Sequence, residues 1–211
     1  MEKLVPFFKI WDSYFQQTID TFLERIMYPS IATTVLPRIE ESIWFKFLLT
    51  FAGSVLLAVS AKVQIPFWPV PMTMQTFVVL VIGMAYGARL GAATVGLYLT
   101  QGALGLPVFA TGSGLGYMVG PTGGYLAGFL MASYAIGYLA SHGWDRSMAK
   151  TLAAMLAGTL LIFTPGILWL SSFIGFEKAV AAGLIPFLLS ESLKIMLAVL
   201  VMPLIWKRLS D

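Results

Sequence analysis

The chain has 211 residues, of which 58% are apolar and only 11% are charged, with 13 Lys and Arg against 10 Asp and Glu. Soluble domains carry about 25% charged residues, so this composition excludes a disordered chain, a coiled coil and a soluble nuclease. The net charge of +3 is not gathered into a basic patch, so no nucleic-acid partner is expected. We therefore predict an all-α, polytopic membrane protein with a lipid-facing surface, since lipid cannot satisfy free backbone groups.

The first 41 residues form a segment distinct from residues 42–211, which we expect to be the membrane domain. Apolar residues between Trp11 and Met27 recur at steps of three and four, with polar side chains on the opposite face. This pattern predicts an amphipathic helix that ends near Pro29. We expect it to lie in the cytoplasmic interface of the membrane, with docking on a partner subunit and disorder as the alternatives.

Six later segments approach the roughly 20 apolar residues that a helix needs to cross a bilayer. The second and third have only 16 residues each and almost no linker, so they should form a tight hairpin. The predicted spans are Ser42–Ala61, Thr73–Ala88, Gly91–Leu106, Thr122–Ser141, Ala149–Ser171 and Ile185–Ile205.

Lys and Arg near the span ends indicate the orientation of the chain, because positive residues concentrate on the cytoplasmic side. With the N-terminus inside, Lys62 and Lys178 fall outside. The inner side then receives Arg38, Lys46, Arg89, Arg146, Lys150, Lys207 and Arg208. We expect a multi-pass protein of the plasma (inner) membrane with both termini in the cytoplasm.

Small residues recur at four-residue steps in three ladders, and such ladders let helix backbones approach closely. Packing within the chain and docking of a second membrane subunit both explain them. The ladders are Thr50, Ser54 and Ala58; Gly83, Gly87 and Gly91; and Gly120, Gly124 and Gly128.

Two ionisable residues, Glu191 and Lys194, lie inside the sixth predicted span. Such residues are costly in a membrane and indicate a functional site by default. Their spacing of three places both on one helix face. They could form a self-neutralising ion pair or contact a polar ligand.

Two expected outer loops could complete a site beside this pair. The first, Val63 to Gln75, contains three prolines and is stiff and aromatic; the second, Gly105 to Tyr125, is glycine-rich. The second loop has no lysine, so it has no Walker pattern. The chain also has no cysteine, one histidine and no clustered acidic ligands. We therefore expect no metal, no cofactor and no enzymatic activity.

Four sequence blocks resemble the BioY family of biotin-specific substrate-binding (S) subunits of energy-coupling factor transporters. They are Ile65–Thr76 (IPFWPVPMTMQT), Gly105–Phe109 (GLPVF), Gly120–Tyr125 (GPTGGY), and Gly183–Phe187 (GLIPF) with Glu191 and Lys194. The family often shows Pro-Gly-Asp where this chain has Leu189-Ser190-Glu191, so its acid is one methylene longer.

The resemblance implies six helices, a vitamin site in the outer leaflet, and biotin as substrate. Lys194 would then meet the biotin carboxylate, while Gln75 and Glu191 would meet the ureido ring. Further contacts would come from hydroxyl or backbone groups of Thr111, Gly112 and Ser113. The apolar bicycle would be covered by Trp68, Phe109 and Tyr125.

The same resemblance implies that transport is powered by partner subunits: a membrane coupling subunit and ATPase subunits. In the family, small residues of the first helix contact the coupling subunit, which makes Thr50, Ser54 and Ala58 the candidate interface. Two alternatives stay open at this point. The chain could be an S subunit for another vitamin, or a membrane enzyme or structural membrane protein without a transport role.

Overall fold

The structure is a computed structural model that describes residues 29–38 and 42–210. The predicted amphipathic helix between Trp11 and Met27 lies outside these residues. The described part of the chain is mostly helical, which agrees with the all-α prediction. The remainder consists of connecting loops and two short strands.

The helices follow the predicted spans closely, with three short additions. In chain order they are α1 (Ile31–Val35), α2 (Ile43–Lys62), α3 (Gln75–Tyr86), α4 (Ala88–Ala103), α5 (Gly114–Met118), α6 (Gly123–Ala140), α7 (Met148–Ile174), α8 (Phe176–Gly183) and α9 (Phe187–Ser210). Strands β1 (Gln64–Ile65) and β2 (Met72–Thr73) lie between α2 and α3. They pair antiparallel, with Gln64 opposite Thr73 and Ile65 opposite Met72.

Within the described residues, α2, α7 and α9 are long and apolar enough to cross a membrane by themselves. Helix α3 is apolar but has only 12 residues, which is about 18 Å at 1.5 Å per residue. Helices α4 and α6 have 16 and 18 residues. The arrangement of six spans therefore stays a prediction.

Helix α6 occupies the centre of the bundle and packs against α3, α4 and α7. Glycine makes these close approaches possible. A Cβ added at Gly128 would lie 2.8 Å from the Cα of Ile162 on α7, and one at Gly83 would lie 2.6 Å from the backbone oxygen of Ser133 on α6. Both distances are too short for any side chain, so members of both glycine ladders serve packing inside this chain.

The predicted hairpin between the second and third spans is an abrupt turn at one residue, Gly87. Its φ of +82° is a conformation that side chains with a Cβ rarely adopt. Helix α6 passes directly over the turn, since a Cβ on Gly137 would lie 2.4 Å from the nitrogen of Ala88. The short α3 and α4 are therefore fixed against α6 at this end.

The loop between α6 and α7 is tied to the end of α9 by a buried carboxylate. Asp145 is almost fully buried and accepts a hydrogen bond from the indole Nε1 of Trp206. Burial raises the pKa of the Asp145 carboxyl, and this hydrogen bond opposes the rise. The Arg146 guanidinium lies 4.1 Å from the centre of the Trp206 ring. This end of the bundle is thus closed by polar contacts. The opposite end carries the paired strands β1 and β2 and the glycine-rich loop, and we call it the hairpin end after the β1–β2 hairpin.

The α6–α7 contact predicts that alanine variants at two glycines differ sharply in the stability of the folded protein. Gly128→Ala forces α6 away from the α7 backbone, and overpacking of this kind costs about 1–3 kcal/mol. The matched control is Gly96→Ala on α4, where an added Cβ meets nothing within 4 Å and helix propensity favours alanine. We expect a lower melting temperature in detergent for Gly128→Ala and an equal or higher one for Gly96→Ala. Equal melting of the two variants would contradict this packing.

Candidate functional site

A pocket opens at the hairpin end between β2, α3, α6, α9 and the loop that follows α4. Its lining borders about 480 Å³ of space not filled by protein atoms, a figure that includes open solvent. Its polar lining comes from Thr73, Gln75, Thr76, Thr122 and Glu191. Its aromatic lining comes from Phe109, Tyr117, Tyr125, Phe129, Phe163 and Phe187. A mainly apolar pocket with a few convergent polar groups is the usual form of a small-molecule site.

The polar side of the pocket is built around the ion pair of Glu191 and Lys194. Lys194 Nζ lies 2.6 Å from Glu191 Oε1, and both residues are buried, at 8% and 4% exposure. The same Nζ donates to the backbone oxygen of Thr73 at 2.7 Å and to Thr76 Oγ1 at 2.9 Å. All three ammonium donors of Lys194 therefore have partners inside the chain.

Thr76 completes this network and leaves one carboxylate oxygen unused. Its hydroxyl donates to Glu191 Oε1 at 2.8 Å, so that oxygen accepts two hydrogen bonds. Glu191 Oε2 accepts none from the described residues, although Glu191 lines the pocket. The ion pair thus presents a hydrogen-bond acceptor to the pocket rather than a cation.

Gln75 presents a second acceptor from the first turn of α3. Its side-chain Nε2 donates to the hydroxyl of Tyr98 on α4 at 2.6 Å. Its Oε1 accepts no hydrogen bond within the described part of the chain, and Gln75 lines the pocket. The side chain is 4% exposed, so this unused oxygen lies in a sheltered position where a ligand N–H would be strongly favoured.

Aromatic rings form the apolar side of the pocket. Phe109 stacks on Tyr117 with ring centres 5.0 Å apart, and Tyr125 meets Phe163 edge to face at 5.7 Å. Phe163 meets Phe187 in the same way, also at 5.7 Å. Such ring pairs form rigid, flat walls.

Glycine and a hydrogen bond hold two of these rings in place. Phe109 lies against Gly102, where an added Cβ would come within 2.0 Å of the ring. The Tyr125 hydroxyl donates to the backbone oxygen of Gly183 at 2.9 Å, and its ring lies against Gly166. The glycines of α4, α7 and α8 therefore make the room that the aromatic walls occupy.

The rim of the pocket is anchored to the end of α2. Lys62 Nζ donates to the backbone oxygen of Phe109 at 2.5 Å, and Gln64 Nε2 donates to that of Ala110 at 3.2 Å. Phe109 and Ala110 both line the pocket. One wall of the site thus depends on the junction between α2 and β1.

Four of the nine ligand contacts expected from the sequence come together in this pocket: Gln75, Phe109, Tyr125 and Glu191. Lys194 lies behind Glu191 and lines a smaller neighbouring cavity with it. These contacts stay predictions of ligand binding, since only their placement is observed.

The other four expected contacts lie away from the pocket lining. Trp68 is 82% exposed between the two strands. Thr111 and Ser113 are exposed, and Gly112 packs against the ring of Tyr117. Their roles as ligand contacts also stay predictions.

The candidate interface on α2 is partly turned inward. Ser54 is fully buried, Ala58 is half-buried against the core, and Thr50 is half-buried. Beside them, Gly53 packs closely against Thr94 on α4. The outward face of α2 is instead apolar.

Several lining residues, and Tyr98 next to Gln75, escaped the sequence analysis. Thr73 and Thr76 flank Gln75 in the sequence, so the position of Gln75 could have indicated them. Tyr98 carries no local signal, since it is one aromatic residue in an apolar helix. The same holds for Phe129, Phe163 and Phe187.

Known proteins resemble this chain in sequence and in fold. A model of the BioY family matches residues 37–211. The probable biotin transporter BioY of Pyrococcus horikoshii is 36% identical over 147 residues, covering 69% of this chain and 86% of that protein. The biotin transporter BioY of Thermotoga maritima is 38% identical over 148 residues, with the same coverage of 69% and 86%.

A solved structure shares the fold. The S-component for biotin from an ECF-type ABC transporter superposes with a TM-score of 0.65 over 77% of this chain and 90% of that one, at 23% identity. At this identity the likeness concerns the fold alone. The match of the family model across most of the sequence, together with these relatives, shows that the chain belongs to the BioY family.

Proposed function

We propose that this chain is the S subunit of a vitamin transporter and binds biotin with high affinity in the pocket at the hairpin end. The observation that carries the proposal is the pair of unused acceptors, Gln75 Oε1 and Glu191 Oε2, beside aromatic walls. The ureido ring of biotin offers two N–H donors, which such acceptors would satisfy. The carbon and sulfur atoms of the bicycle offer apolar surface that would lie against Phe109 and Tyr125. Relatives bearing the name of biotin transporter support the same substrate.

The polar network favours one orientation of biotin. Both unused acceptors lie on the α3 and α9 side, so the ureido ring would face them. An anionic carboxylate would meet two oxygen acceptors there instead of donors, so it would point toward the mouth of the pocket. In this arrangement Lys194 acts through Glu191, which it neutralises and holds in place. Direct contact between Lys194 and the carboxylate is the competing arrangement.

The membrane arrangement belongs to the same proposal. Six helices, α2, α3, α4, α6, α7 and α9, would cross or enter the plasma membrane, with the hairpin end outside and both termini in the cytoplasm. The positive residues expected on the inner side support this orientation. The role is binding and delivery rather than catalysis, with energy supplied by a membrane coupling subunit and ATPase subunits, as is general in the family.

The first test is equilibrium binding of labelled biotin to the purified chain in detergent, with Gln75→Leu as the variant. Leucine keeps the approximate volume but removes the acceptor, and the loss of one buried hydrogen bond should weaken binding about tenfold or more. Gln101→Leu on α4, outside the pocket lining, is the matched control. Competition with thiamine, riboflavin and desthiobiotin tests the vitamin. Unchanged affinity in Gln75→Leu, or displacement by another vitamin, would contradict the proposal.

A second measurement decides the role of Lys194. The affinities of biotin and of its neutral methyl ester are compared in the unaltered chain and in Lys194→Met. If Lys194 acts through Glu191, both ligands lose affinity by the same factor, because the ester keeps the ureido ring. A loss confined to biotin would instead show that Lys194 contacts the carboxylate. In Lys194→Met the buried carboxylate of Glu191 is left unpaired, which by itself reduces affinity. The double variant Glu191→Gln with Lys194→Met removes this charge, so comparing the two variants gives its share of the lost affinity.

The partner interface is tested separately from the pocket. We expect Thr50→Leu to reduce biotin uptake in cells that contain the coupling and ATPase subunits, because a bulky side chain blocks close helix approach. Binding of biotin in detergent should not change, since Thr50 does not line the pocket. Thr100→Leu, at an exposed position of α4, is the control. Full uptake by Thr50→Leu would exclude Thr50 from the interface.

A further inference from the structure

We propose that Tyr98 is a positioning residue that fixes the amide of Gln75 so that its oxygen, and not its NH₂ group, faces the ligand. This inference rests on the proposed binding of biotin in the same pocket. Tyr98 lies outside the pocket lining, yet it would select ligands that carry an N–H at the atom facing Gln75.

The position of Tyr98 is fully determined by its surroundings. It is 0% exposed on α4, behind Gln75 as seen from the pocket. Its ring meets Phe109 edge to face, with ring centres 5.5 Å apart. Phe109 in turn is held against Gly102. The Tyr98 hydroxyl therefore has little freedom to move away from the two groups that it contacts.

Hydrogen-bond donors and acceptors around Tyr98 allow only one arrangement. The hydroxyl lies 3.2 Å from the backbone oxygen of Val108 and 2.6 Å from the Gln75 amide. A carbonyl oxygen can only accept, so the single hydroxyl proton is donated to Val108. The hydroxyl then has only lone pairs for Gln75 and must accept from its Nε2. Because Nε2 is the end of the amide that faces Tyr98, Oε1 is directed away from Tyr98, toward the pocket.

The consequence is selectivity at one point of the ligand. Gln75 Oε1 attracts an N–H and repels an acceptor atom, and a buried mismatch of this kind is more costly than a missing apolar contact. Without the Tyr98 hydroxyl, the amide could turn over and offer its NH₂ group instead. Tyr98 therefore governs which of two ligands of equal shape is preferred, although it touches neither.

The test uses biotin and two cyclic carbamate analogues, in each of which one ureido N–H is replaced by a ring oxygen. The unaltered chain should bind biotin at least about tenfold more tightly than the isomer whose oxygen faces Gln75. In Tyr98→Phe this preference should shrink severalfold, because the amide can rotate to donate to the ring oxygen. In the Gln75→Leu background, adding Tyr98→Phe should change the preference no further.

Controls separate a positioning role from a structural one. Tyr134→Phe, at an exposed position of α6, should leave the preference unchanged. A merely structural role of Tyr98 would weaken biotin and the carbamates by the same factor, and that result would overturn the inference. So would an unchanged preference in Tyr98→Phe. If that variant does not fold, the unaltered chain still decides, since equal binding of biotin and both carbamates refutes a fixed amide. Failure of the unaltered chain to bind biotin at all would instead refute the proposed function.

Discussion

Lys194 and Glu191 form a buried ion pair one helical turn apart on α9, and the polar half of the pocket depends on it. A charge that is unpaired in the interior of a membrane protein is very costly. Here the ammonium is satisfied by Glu191, by the Thr76 hydroxyl and by the Thr73 backbone. Because Thr73 belongs to β2 and Thr76 to α3, two of these three contacts join α9 to the strand and to the helix that carries Gln75. The hydrogen bonds that satisfy the charge of Lys194 therefore also position the strand and the helix that form the polar side of the site.

The pocket combines two rigid but chemically different sides. Oxygen acceptors from α3 and α9 form one side, and packed rings from four helices and the loop after α4 form the other. Side chains on both sides are held in place: Lys194 and Thr76 bind Glu191, and Phe109 rests on Gly102. Preorganisation of this kind reduces the entropy lost when a ligand binds. It is consistent with selective capture of a small molecule that has apolar ring surface and donates hydrogen bonds.

The sequence predicted the parts of this site that are unusual for a membrane helix. Glu191 and Lys194 were evident because charges are rare in apolar spans, and Gln75 because it opens a helix after a proline-rich loop. Tyr98 and Phe163 could not be predicted in this way, because an aromatic residue in an apolar helix looks the same whether it faces lipid or a pocket. Trp68 shows the opposite difficulty. Its loop was recognisable, but the direction of its side chain depends on the pairing of Gln64 with Thr73. Likewise the sequence showed the charge of Lys194 but not its three partners.

The shortness of α3 has a consequence for how far a substrate has to travel. Its final residues adjoin the turn at Gly87 and the exposed Arg89, a charge that belongs at the border between lipid and water. Twelve residues rise only about 18 Å from that border, whereas the hydrocarbon layer is about 30 Å thick. In a bilayer, Gln75 would thus lie about 12 Å below the far surface, with the two strands filling the space above it. A molecule held there would already have passed through about two-fifths of the permeability barrier before any energy was spent.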